Sequence, residues 1–106
     1  MPLLRFVVTF EGNPVLHTDH EAMHPERALV GCRIHVEVPE GSGLESSTTE
    51  HDYSGERLKQ ALELHQAGSA SVEVTSEWLE KHSGTWREAI IDSALNQFAA
   101  PPFQSR

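Results

Sequence analysis

From Ala28 to Val38 the chain alternates with a period of two: Ala28, Val30, Cys32, Ile34, Val36 and Val38 on one side, Leu29, Gly31, Arg33, His35 and Glu37 on the other. Successive side chains of a β-strand point to opposite faces, so this stretch predicts a half-buried strand with one face on a core. From Gly31 onward the second set is polar or small, and that face meets water or a partner. The other segments are read as what pairs with this strand or covers it.

Upstream, Leu4, Phe6, Val8 and Phe10 alternate with Arg5, Val7 and Thr9, and the aromatic and β-branched content predicts a strand over Leu3 to Phe10. Glu11-Gly12-Asn13-Pro14 carries turn chemistry, so Val15 to Thr18 reads as a short return strand closing a hairpin, kept short or at an edge by Pro14. Any helix between Thr18 and Pro25 is limited to about one turn, because proline discourages helix at His24.

Downstream, Pro39 to Tyr53 combines glycines with a Ser/Thr run from Ser46 to Thr49 and has little to bury, which reads as a long loop. Ser54 caps a helix to about Gln66 with Leu58, Ala61, Leu62 and His65 on its stripe, and Gly68 ends it. Ala70, Val72 and Val74 mark a short strand, followed by a short helix over Glu77 to His82 capped by Ser76. Thr85 and Glu88 fit a capping box, opening a last helix to about Phe98. Its stripe of Trp86, Ala89, Ile90, Ala94 and Phe98, widened by Ile91 and Leu95, faces the sheet.

This order predicts a single small α+β domain over residues 1–100, followed by a tail at 101–106. The domain is a roughly four-stranded mixed or antiparallel sheet with two to three helices packed on one face. A chain of 106 residues is long enough to bury one core without staples. The opposite sheet face stays open, carrying Arg33, His35 and Glu37, with Arg5, Val7 and Thr9 beside them if the two strands are neighbours. An open face also leaves room for a homo-oligomer.

Sixteen Asp and Glu against eight Lys and Arg give a net charge of -8, which disfavours nucleic acid and anionic membranes and favours a basic partner. No apolar run approaches the roughly 20 residues of a membrane span. The single Cys32 excludes an intrachain disulfide framework and suits a reducing compartment, so the expected location is cytoplasmic. On the core side of its strand, Cys32 reads as a small hydrophobe and not a nucleophile.

The charge is unevenly placed. Between Arg33 and Arg57 there is no Lys or Arg, while Glu37, Glu40, Glu45, Glu50, Asp52 and Glu56 all fall inside that interval. A flexible acidic segment can wrap a basic surface by placing carboxylates where phosphates usually sit. The leading functional expectation is therefore a non-catalytic acidic protein, without cofactor, that binds a basic surface on a partner protein. Phage-encoded inhibitors, immunity proteins and antitoxins are of that general kind.

The alternative expectation is a metal-binding domain. His20-Glu21-Ala22-Met23-His24 matches the H-E-x-x-H pattern, in which two histidines one helical turn apart bind zinc and the glutamate activates water. Pro25 denies that helix its next turn, which weighs against a zinc-dependent hydrolase. Metal without catalysis asks for less: His17, Asp19, His20 and His24 crowd together and are all competent zinc ligands. His51 and Asp52 have acid-base residue types but read as loop surface, and no nucleophile elbow, phosphate loop or dinucleotide fingerprint occurs.

Overall fold

The computed structural model describes residues 3–17 and 29–99. The elements are β1 (Leu3–Leu16), β2 (Val30–Glu37), β3 (Ser47–Tyr53), α1 (Gly55–Ala67), β4 (Ser69–Thr75), α2 (Ser76–Lys81) and α3 (Trp86–Asn96). Every strand pairing is antiparallel, in the order β3-β2-β1-β4. The architecture is α+β, as the element pattern predicts. The H-E-x-x-H pentapeptide, Asp19, Ala28 and the 101–106 tail lie outside the described residues.

The period-two patterns decide which face is covered. Phe6, Val8 and Phe10 of β1, Cys32, Ile34 and Val36 of β2, and Ala70 and Val72 of β4 all turn to the helix side and are buried. They form one cluster with Ala61 and Leu64 of α1 and with Ile90, Ile91, Ala94 and Leu95 of α3. Full burial of an aliphatic side chain of this size contributes about 1.5–3 kcal/mol. Phe6 meets the Trp86 ring at 5.5 Å, and His65 approaches the Phe10 ring edge-on at 4.7 Å.

Three local expectations are corrected. The turn over Glu11 to Pro14 does not fold the chain back on itself. β1 continues along β2, and its register shifts between Glu11, opposite Arg33, and Val15, opposite Gly31. Gly12, Asn13 and Pro14 thus stand across from Cys32 alone. Gly12 takes φ 71° and Pro14 has no N–H for the ladder, so turn residues here make a bulge in a long strand.

The second correction concerns Pro39 to Tyr53, whose latter half is strand β3 and not loop. Ser47, Thr49, His51 and Tyr53 face the helix side, yet none is fully buried and only Tyr53 is aromatic, so the strand has no apolar alternation to announce it. Third, the caps differ. Thr75, not Ser76, caps α2, accepting from the Trp78 N–H at 3.0 Å. Thr85 precedes α3 but donates to the His82 carbonyl at 3.4 Å, and no capping box forms. On α1 the buried stripe includes Leu64, while Leu62 faces outward. Gly68 ends that helix at φ 94°, donating to the Leu64 carbonyl.

Candidate functional site

The open sheet face is built by the residues that alternate with the core. Register sets Thr9 beside His35 and Glu11 beside Arg33, while Thr48, Glu50 and Asp52 of β3 lie opposite His35, Arg33 and Gly31. Arg5, Val7 and Thr9 do neighbour Arg33, His35 and Glu37. A polar network ties three strands together here. His35 meets Thr48 Oγ1 through Nδ1 at 2.9 Å and Glu37 Oε1 through Nε2 at 3.1 Å. Thr48 in turn donates to Glu11 Oε1 at 3.4 Å.

His17, counted from the sequence as a metal ligand, lies on the same face. Its Nδ1 is 3.0 Å from Asp52 Oδ1. The imidazole rests on Gly31, where a Cβ would lie 2.6 Å from ring atoms, so no larger residue fits without moving it. Asp19, His20 and His24, its proposed co-ligands, lie outside the described residues. Among the described residues, no group of three or more His, Cys, Asp or Glu is arranged to hold a metal.

The acidic residues of the 37–56 interval divide into separate places. Glu37, Glu50 and Asp52 share the open face, joined by Glu11, which the sequence pattern assigns to a turn and the structure places in β1. Glu40 and Glu45 lie in the connection between β2 and β3, and Glu56 is in the first turn of α1. The nearest cations are only partly available to neutralise this edge. Arg33 and Glu50 stand 3.9 Å apart, both largely exposed, where an ion pair contributes little. Arg57 is drawn to the helices, pairing with Asp92 at 3.6 Å and donating to Gln60 and Asn96. Arg87 stacks on Trp86 and donates to the Glu45 carbonyl at 2.9 Å.

On its helix side β3 borders a cleft of about 420 Å³ whose walls include Thr49, His51, Trp86, Glu88 and Ile91. Thr49 Oγ1 and His51 Nε2 are 2.7 Å apart, and His51 stacks on Tyr53 with ring centroids 5.6 Å apart. Burial lowers the His51 pKa from its ordinary 6.5, although Glu88, Asp92 and Asp52 pull the other way. Burial likewise pushes Tyr53 up to about 12, with Asp92 adding to the effect. His51 and Asp52, adjacent in sequence, point to opposite faces and build no joint site. Cys32, fully buried, is pushed up to about 11 by burial and then by Asp52, so the thiol stays protonated.

The chain matches no family model, no curated protein and no solved structure. The site must be read from its own chemistry. That chemistry is a strand edge with carboxylates on both sides: Glu50 and Asp52 on the open face, Glu88 and the Arg57-paired Asp92 on the helix side. Sequence reasoning missed Glu11, Glu88 and Asp92, because only the strand order and the path of α3 bring them to β3. Among the described residues no helix is long and apolar enough to cross a membrane.

Proposed function

We propose that this protein is a non-catalytic binding protein that engages a basic surface on another protein, of the general kind served by phage-encoded inhibitors, immunity proteins and antitoxins. The observation that carries this reading is the grouping of Glu37, Glu50 and Asp52 on one sheet face beside Glu11. A rigid sheet holds those carboxylates in fixed register, so little ordering cost accompanies binding. A flexible loop would have been ordered only on contact. Complementary charge of this kind steers encounter and rejects acidic partners.

Titration with an octalysine peptide, followed by amide NMR shifts, tests the reading. Shifts should concentrate on residues 37–53 and weaken steeply as salt rises from about 50 to 300 mM. Glu50→Lys with Asp52→Lys should remove them. Shifts scattered over the surface, or a response that leaves 37–53 untouched, would contradict the proposal.

A further inference from the structure

We infer that the outer edge of β3 docks one extended, basic segment of a partner protein, which adds to the sheet as a fifth strand. The inference rests on the basic-partner reading above and supplies its mode of binding. β3 is the outermost strand on its side, and among the described residues no main-chain or side-chain group hydrogen bonds to the outer side of Ser47–Tyr53. Such a row of unpaired N–H and C=O groups is a template for another strand.

The side chains of β3 determine what that strand contains. Thr48, Glu50 and Asp52 alternate with Thr49 and His51, the first set on the open face and the second over the cleft. Directly opposed side chains in an antiparallel pair have Cβ atoms about 5 Å apart. An added strand therefore sets every second side chain beside Glu50 and Asp52, which favours Lys or Arg there. The intervening positions lie over Thr49, His51 and Trp86 and favour small or β-branched residues, with Glu88 available to a further cation. A second copy of this chain is a poor occupant, because pairing β3 with itself about its middle would set the Glu50 and Asp52 carboxylates of one copy against those of the other.

The test uses the full chain and two labelled peptides that alternate Lys and Val, one with ordinary amides and one N-methylated throughout, followed by fluorescence anisotropy. N-methylation keeps the charge and removes the main-chain donors. The ordinary peptide should bind with strong salt dependence, and the methylated one at least about tenfold more weakly. Glu50→Lys with Asp52→Lys should abolish binding, whereas Glu73→Lys, beside the other edge, should leave it unchanged.

Equal, salt-sensitive binding of both peptides would overturn strand addition and leave the basic-partner reading standing. If neither peptide binds at low salt, both readings are overturned. A dimer of the free protein with Ser47–Tyr53 protected from hydrogen exchange would replace the basic segment with a second copy of the chain.

Discussion

The two edges of this sheet are finished differently. Along β4, Gln97 donates to the Ser71 carbonyl at 2.7 Å, and Trp78 and Ser93 line the adjoining cleft. Along β3, no described residue hydrogen bonds to the outer side of the strand, and carboxylates stand on both faces. Chain order explains the contrast. β4 is followed directly by α2 and α3, which pack back beside it, whereas α1 leaves β3 and carries the chain across to the far edge. One edge has a main-chain carbonyl bonded by the residue that ends α3, and the other, among the described residues, has no such partner and carries charge. Charge on an edge opposes self-pairing, and it also selects an oppositely charged strand.

The largest effect should come from the core that both edges share. Ile90→Ala should cost about 2–5 kcal/mol, measured by chemical denaturation, because Ile90 is completely buried beneath the sheet. Hydrogen exchange should then quicken at both edges together. Gln97→Ala should cost at most about 1 kcal/mol and quicken exchange only along Ser69–Thr75. A Gln97 variant that loosened β3 as much as β4 would erase the distinction between the edges.

The smallest effect concerns pH on the helix side of β3. The folded pKa of His51 lies below its ordinary 6.5, so the unfolded chain takes up a proton that the folded chain resists. This contribution is fully present above about 6.5 and is lost as pH falls through the folded value. Stability of the His51→Gln variant should therefore decline less than that of the original chain as pH drops from about 7 to 5. Parallel stability profiles would show that the cleft does not disfavour a charged imidazole.

What could be read from the sequence follows burial. Cys32, Ile34 and Val36 announced β2, and Ile90, Ile91, Ala94 and Leu95 announced α3, because each has one strongly apolar side. β3 was illegible because its inward residues, Ser47, Thr49, His51 and Tyr53, sit at the rim of the core and are only partly covered. The turn-rich Glu11 to Pro14 is ambiguous in the sequence because the same residues serve a hairpin or a bulge, and only the partner strand decides between them. The acidity of Glu50 and Asp52 was plain in the sequence. That they share a face with Glu37 and Glu11, and stand back to back with Glu88 and Asp92, depends on strand order, which no local pattern encodes.

If β3 is the binding edge and β4 is not, amide hydrogen exchange of the full chain, with and without the ordinary Lys-Val peptide, should show it. Exchange should slow across Ser47–Tyr53 and stay unchanged across Ser69–Thr75. Protection along Ser69–Thr75, or bound peptide with Ser47–Tyr53 exchanging as in the free protein, would contradict it.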